Sequence, residues 1–289
     1  MPGYLSKLMH SLVKLEHPAR LRWFERAFVL SFACYLTARF LHVEEWLTEA
    51  GFHYTPDNYS RGEGPPLPLL PLWAAQLLAV VFYGTVAAFM LGWQRRVMLW
   101  LLLGIAWYIT YADTAGAAAL NRVYIIVLAV LATAPGPVRT TGGEMLQTVA
   151  PVRILQAFVC IFYLGAGVSK AWHGVWLSHS DAVWHNIQGA YRTDFAAWCL
   201  NYLPMWVFAI MHWSALIFEL GAPVLLSVRR LRIIGVPVGL MLHLLIAMMF
   251  TTIIWFSLQM MCFYILFLPP AIMARASQRM VSAWRQLRA

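Results

Sequence analysis

An uncharged apolar stretch near the C-terminal end limits the possible folds of this 289-residue chain more than any other feature. Residues 233–273 contain no aspartate, glutamate, lysine or arginine. As a single α-helix this stretch would be about 60 Å long, twice the ~30 Å thickness of the hydrocarbon core of a bilayer. We therefore divide it into two membrane spans that meet near Thr251 and Thr252.

Other apolar stretches occur along the whole chain. Hydrophobic residues make up 61% of the sequence and charged residues 11%, whereas soluble domains are about half apolar and a quarter charged. The sequence therefore predicts an all-α polytopic membrane bundle of about eight transmembrane helices. Before the last stretch, the predicted spans are residues 27–42, 70–91, 97–111, 117–134, 154–170 and 204–228.

The chain divides into three predicted segments. Leucines three or four residues apart between Leu5 and Leu15 give one apolar face, so residues 1–26 are interpreted as an N-terminal amphipathic interfacial helix. Residues 27–274 form the transmembrane domain in this prediction, and residues 275–289 form a basic cytoplasmic tail. The surrounding partner is the lipid bilayer.

The basic residues indicate an orientation. Most of the 21 lysines and arginines fall in alternate loops, while the other loops hold most of the acids. By the positive-inside rule, both termini of this multi-pass protein are expected in the cytoplasm, and we assign it to a bacterial inner membrane. The net charge of +9 is interpreted in the same way, so no nucleic acid partner is expected.

Lys170 is the most informative charged residue, because it ends an uncharged run that starts at Ile154. A lysine at this position either snorkels to the interface as an anchor or serves a ligand. Two glycines, Gly165 and Gly167, narrow the helix before it and let a ligand or another backbone approach. An aromatic and hydrogen-bonding rim follows, formed by Trp172, His173 and Trp176.

Other polar residues within the predicted spans suggest a site. Arg39 and Arg122 fall at the same predicted depth as Lys170, so the three are separate anchors or line one outward-facing pocket for an anionic or enolate-like ligand. His212 and Glu219 share a helical face, and His243 lies in mid-span; interhelical hydrogen bonds are the simpler interpretation of each histidine. No ligand set has the spacing of a metal site, so no metal is expected.

These residues occur in patterns that resemble a known family. Tyr163-x-x-Ala166-Gly167-x-x-Lys170, followed by Trp176, resembles the membrane domain of vitamin K-dependent γ-carboxylase, which belongs to the horizontally transferred transmembrane (HTTM) group. The similarity runs from about Asn121 to Pro270. Its further landmarks are Asn121-Arg122-x-Tyr124, His212 with Glu219, and His243.

The resemblance implies roles for these residues. In the carboxylase the motif lysine deprotonates a reduced quinone (vitamin K), so Lys170 is expected to be the catalytic base and His243 a second catalytic residue. The same resemblance suggests a reduced, vitamin K-like quinone as cofactor. Glu219 is expected to have a structural polar role because it is an acid in an apolar helix, with a histidine on the same face. The residues expected to bind substrate are Asn121, Arg122, Tyr124, Arg39, Trp172, Trp176 and His212.

Two departures from the family pattern argue against protein γ-carboxylation itself. Arg122 stands where the family has a histidine, and no β-rich outer domain for a protein substrate is recognised in the sequence. We therefore expect carboxylase- or epoxidase-like chemistry on a quinone-like, lipid or peptide substrate at the outer face, with Lys170 as base. The alternative is a non-catalytic membrane partner in the maturation or export of a small secreted peptide. A quinone or lipid bound beside Lys170 would support the enzyme, and a dry, sealed core would support the partner.

Overall fold

A computed structural model describes residues 14–51, 53, 67–113, 119–173 and 176–286. The described chain is mainly helical, with short strands β1 (Leu15–Glu16), β2 (Val138–Arg139) and β3 (Met145–Thr148). The helices are α1 (Ala19–Phe40), α2 (Val43–Leu47), α3 (Leu72–Met90), α4 (Arg95–Ala112), α5 (Ala119–Thr133), α6 (Ala150–His173), α7 (Ala182–Asn186), α8 (Asp194–Tyr202), α9 (Met205–Ser227), α10 (Arg232–Met249), α11 (Ile254–Phe263) and α12 (Pro270–Gln286), with a 3₁₀ turn at Tyr264–Phe267.

The chain forms two compact units, and unit 1 comprises residues 1–24 and 137–289. Within unit 1, α9 packs against α6, α7 and α10, and α10 packs against α11. Glycine permits one of these close contacts, because a Cβ atom on Gly235 of α10 would lie 3.0 Å from the Leu225 carbonyl oxygen of α9. The strands form an antiparallel sheet in the order β1-β3-β2, in which Leu15 lies opposite Thr148.

Unit 2 comprises residues 25–136 and is built on an aromatic core. Helices α3, α4 and α5 pack in sequence order, and α2 packs against α3. The ring of Tyr124 lies 4.4 Å from that of Phe32 and 5.1 Å from that of Phe28, and Phe82 contacts the other side of Phe32. These side chains are buried, so they hold this unit together mainly through apolar burial and aromatic packing.

The helices support a multi-pass membrane protein. A helix lies over each of the eight predicted spans, and α10 and α11 are separated around the predicted break at Thr251. Among the described residues, α3, α6, α9 and α10 are long and apolar enough to cross a membrane. A fifth candidate joins Ile254–Phe267 to Pro270–Arg279 with a bend of 104°. Four or five candidate spans are therefore identified, and the number eight stays a prediction.

The predicted N-terminal amphipathic helix is not confirmed. Residues 1–13 lie outside the described residues, but Leu15–Glu16 forms strand β1 and α1 begins at Ala19. The reason is Pro18, because proline disfavours helical backbone at the residue before it while it suits the first turn of a helix after it. Between the predicted spans, the structure adds the three short helices α2, α7 and α8.

Candidate functional site

Unit 1 contains a cavity of about 580 Å³ beside Lys170, which we call the polar cavity. Its walls come from α6, α9, α10, α11 and the segment around residues 186–191. This volume is within the range of ~300–1,000 Å³ that is typical of small-molecule sites. Most of the lining is apolar or aromatic, and the main lining side chains are Phe162, Tyr163, Lys170, Trp176, Tyr191, Glu219, His243, Phe250 and Phe256.

Lys170 and Glu219 form an ion pair in the wall of this cavity. The Lys170 Nζ donates a hydrogen bond to Glu219 Oε1, and the two side chains are 30% and 9% exposed. The second carboxylate oxygen, Glu219 Oε2, is buried and has no hydrogen-bond partner among the described residues. Trp176 covers the ammonium group, with its ring centroid 4.9 Å from Nζ. Among the described residues, the ion pair therefore leaves one buried oxygen of Glu219 without a hydrogen-bond partner.

Gly167 explains why these two side chains meet. A Cβ atom at this position would lie 3.0 Å from the backbone nitrogen of Leu220, so α6 and α9 approach most closely where Lys170 and Glu219 face each other. The sequence predicted that Gly165 also opens the helix to a ligand or a backbone. A close backbone is found at Gly167, whereas a Cβ atom on Gly165 would have no neighbour within 4 Å.

His212 holds Trp176 in place. The two rings stack with centroids 4.4 Å apart, and His212 Nε2 lies 2.8 Å from the carbonyl oxygen of Trp176. Although His212 and Glu219 share a helical face, His212 does not line the polar cavity and is completely buried. Trp172, the other predicted member of the rim, is 81% exposed and is not part of the cavity wall.

A chain of three hydrogen-bonding side chains adjoins the ion pair. The Tyr163 hydroxyl lies 2.6 Å from His243 Nε2 and 2.7 Å from the Tyr264 hydroxyl, so it links the two. His243 is buried and lines the polar cavity, and its Nδ1 has no partner among the described residues. Gly239 makes room for this chain, because a Cβ there would lie 2.0 Å from the Tyr264 hydroxyl oxygen. Such a chain can transfer a proton between cavity and interior.

A second, apolar cavity of about 320 Å³ adjoins the polar cavity, and we call it the side cavity. Leu242, Ile246 and Phe250 line both cavities. The side cavity lies between α9 and α10, where Ile210 and Met241, each 56% exposed, form part of its wall. In a membrane-spanning protein these exposed side chains face lipid, so an apolar chain has a route from the bilayer to this region.

The remaining predicted site residues lie in unit 2. Arg39 donates hydrogen bonds to Asp113 and, over 3.1 Å, to the Tyr35 hydroxyl, which donates to Asn121 Oδ1 over 2.9 Å. Tyr124 is buried and stacks on Tyr35 with ring centroids 6.0 Å apart. Arg122, on the same helix, is exposed. Arg39 is therefore neutralised by Asp113 within its own unit. The predicted anion pocket lined by Arg39, Arg122 and Lys170 did not include this acid.

Two residues of these networks were missed by the sequence analysis. Asp113 follows directly on an apolar helix, so its position at the end of a run was a usable signal, similar to that of Lys170. Tyr264 gave no such signal, because it is one of many aromatic residues in an apolar stretch. Within the described part of the chain, no group of three or more His, Cys, Asp or Glu residues could hold a metal ion.

Comparisons with known proteins give one match. The model of the HTTM domain family matches residues 143–271, which include both cavities, the ion pair and the hydrogen-bonded chain. No curated protein and no solved structure matches the chain.

Proposed function

We propose that the HTTM domain of this membrane protein, residues 143–271, is an enzyme that binds a lipid-soluble ligand in the polar cavity and moves a proton from it. The ligand class that fits is a flat, mainly apolar molecule with a hydroxyl or carbonyl group, as in a quinol or quinone. The strongest support is the combination of an aromatic wall with the Lys170–Glu219 pair and the unpartnered oxygen Glu219 Oε2.

Lys170 is the proposed base. In an apolar cavity a carboxylate and an ammonium group can exist as an ion pair, or the proton can cross their hydrogen bond and leave a neutral amine and a neutral acid. The neutral amine of Lys170 can then accept a proton from the ligand. A reduced quinone, when bound, would supply an acidic hydroxyl group for this step. Glu219 Oε2 is suited to accept a hydrogen bond from that hydroxyl.

The neighbouring groups complete the proposed site. Trp176 and Phe256 offer aromatic faces to a flat ring, and the side cavity can take an apolar substituent. His243, through Tyr163 and Tyr264, provides a path for a proton away from the cavity. The polar cavity favours this enzyme over the non-catalytic partner in peptide maturation, for which we expected a sealed core. A peptide that enters from the outer face is the competing ligand.

Filling the polar cavity is expected to remove the ligand. Ala166 lines the cavity, whereas Ala157 is on the same helix but is exposed and does not line the cavity. Ala157→Trp is therefore the matched control for Ala166→Trp. Organic extracts of the protein purified in mild detergent are compared by mass spectrometry. We expect a hydroxyl- or carbonyl-bearing apolar compound in wild type and Ala157→Trp, and at least a tenfold loss in Ala166→Trp. A bound peptide, or identical extracts from all three proteins, would contradict the proposal.

The topology is proposed from the charge pattern, with both termini in the cytoplasm of a bacterial inner membrane. A reporter fused after Gly189, in place of the rest of the chain, is expected to report a periplasmic position. The same reporter after Arg230 is expected to report the cytoplasm, because Arg229 and Arg230 follow the preceding span there. Alkaline phosphatase and a fluorescent protein are suitable complementary reporters. The opposite pair of results would reject the eight-span topology.

A further inference from the structure

Three arginines from distant parts of unit 1 converge on the 3₁₀ turn Tyr264–Phe267. Arg20 Nη1 donates to the Leu266 carbonyl oxygen over 3.2 Å. Gln156 Nε2 donates to the same oxygen over 2.7 Å, and Arg153 donates to Gln156 Oε1 over 3.1 Å. The guanidinium carbon of Arg232 lies 5.8 Å from the ring centroid of Phe267. The turn therefore gathers positive charge from α1, α6 and α10.

In the described part of the chain, Arg20 is the one of these arginines that is paired with an acid. Arg20 makes a bidentate contact with Glu16, with both N–O distances at 2.7 Å. Arg232 instead donates to the carbonyl oxygens of Leu226 and Ser227 at the end of α9, over 2.6 and 3.0 Å. Among the described residues, neither Arg153 nor Arg232 forms a salt bridge.

A further cation adds to this cluster. Arg229 lies three residues before Arg232, in the turn between α9 and α10. Like charges at short range are unfavourable, and they persist where a binding partner of opposite charge compensates them. The cluster is thus arranged for an anion. We call Arg153, Arg229 and Arg232 the arginine site.

We propose that the arginine site binds the phosphate group of an anionic phospholipid. The site lies at one end of three candidate spans: the start of α6, the end of α9 and the start of α10. Head-group phosphates lie at this level of a bilayer, and basic pockets between transmembrane helices bind anionic head groups.

The apolar neighbours of the arginines favour a lipid over free phosphate. Each arginine is followed or preceded directly by an exposed apolar side chain: Ile154 is 51% exposed, Val228 45% and Ile233 80%. A phospholipid can satisfy both features, because its phosphate contacts the guanidinium groups while its acyl chains cover the apolar side chains. Inorganic phosphate leaves the apolar side chains uncovered.

Binding of phosphatidylglycerol tests the proposal. The purified full-length protein is reconstituted in nanodiscs of phosphatidylcholine with increasing phosphatidylglycerol, and bound lipid is measured by displacement of a fluorescent phosphatidylglycerol. Each arginine lost is expected to weaken the apparent affinity roughly fivefold, so Arg153→Gln with Arg229→Gln is expected to weaken it roughly 25-fold. Arg232 is left unchanged in this variant because it caps α9. Arg279→Gln, at an exposed residue of α12, is the control for the loss of one positive charge away from the arginine site.

The outcomes separate the alternatives. The proposal is supported if wild type and Arg279→Gln prefer phosphatidylglycerol and the double variant loses this preference. It is overturned if wild type binds both lipids equally, if Arg279→Gln is as damaging as the double variant, or if inorganic phosphate displaces the fluorescent lipid completely. Should the double variant not fold, the wild-type comparison of the two lipids, and its competition with inorganic phosphate, still decides the question.

Discussion

Replacing Lys170 by arginine is expected to slow conversion of the cavity ligand by about 100-fold or more. General acid–base catalysis typically contributes factors of about 10²–10⁴, and arginine keeps the positive charge but cannot become a neutral base. It can still pair with Glu219, so ligand binding is expected to survive. The measurement uses the compound identified in the organic extract, added to purified wild-type and Lys170→Arg protein in detergent, with the rate of product formation as readout.

The controls for this prediction distinguish a catalytic base at Lys170 from a residue that only anchors the helix at the membrane surface. Lys14→Arg makes the same substitution at an exposed lysine and is expected to leave the rate unchanged. A full conversion rate in Lys170→Arg would mean that Lys170 is an anion-binding or anchoring residue, and the proposed mechanism would be wrong. A loss of binding together with the rate would instead point to a steric effect of the larger guanidinium group.

Glu219→Leu is expected to cause the largest loss of stability. Removing one partner of a buried ion pair leaves the other charge without compensation, which costs about 3–5 kcal/mol when both are fully buried. Because the Lys170 side chain is 30% exposed, we expect the lower end of this range, about 3 kcal/mol. Thermal unfolding in detergent measures the effect. Glu219→Gln is expected to be milder, since its amide oxygen still accepts a hydrogen bond from Lys170.

A double variant shows whether the ion pair is the cause. Lys170→Met with Glu219→Leu removes both charges, so it is expected to recover most of the stability that Glu219→Leu loses. Glu45→Leu is the control: Glu45 is exposed, and its salt bridge among the described residues is with exposed His42. Its loss is therefore expected to change stability by less than about 1 kcal/mol. Equal unfolding temperatures for wild type and Glu219→Leu would show that the pair has no structural role.

The short polar segments show where local patterns fail. Leucine spacing predicted a helix through Leu15, but the proline three residues later makes this segment part of a sheet with residues 145–148. The strand partner lies far along the chain, so no local pattern could reveal it. In the same way, α2 and α8 are short helices in segments where apolar residues do not recur at helical spacing over a long stretch, and the sequence signal for a helix is weakest there.

The site shows the same division between local and tertiary information. Lys170, His243 and Glu219 were selected because a polar side chain in an apolar run needs a partner or a role. The partner of each residue was not predictable. The sequence analysis placed Glu219 beside His212 on one helical face, and it grouped Lys170 with other cations at the same depth. The structure instead pairs Glu219 with Lys170 across two helices, at the crossing that Gly167 permits.

The sequence by itself determined the membrane-protein class, the positions of the long helices and the polar residues within them. These follow from the apolar character of each stretch, which is a local property that the bilayer selects directly. Only the tertiary structure decided that Tyr163 links His243 and Tyr264, and that Trp176 rather than Trp172 covers Lys170. Tyr163 is 80 residues from His243 and 101 from Tyr264, so these contacts depend on how the helices cross. Helix crossings are fixed by the packing of whole helix surfaces and not by any short segment of sequence.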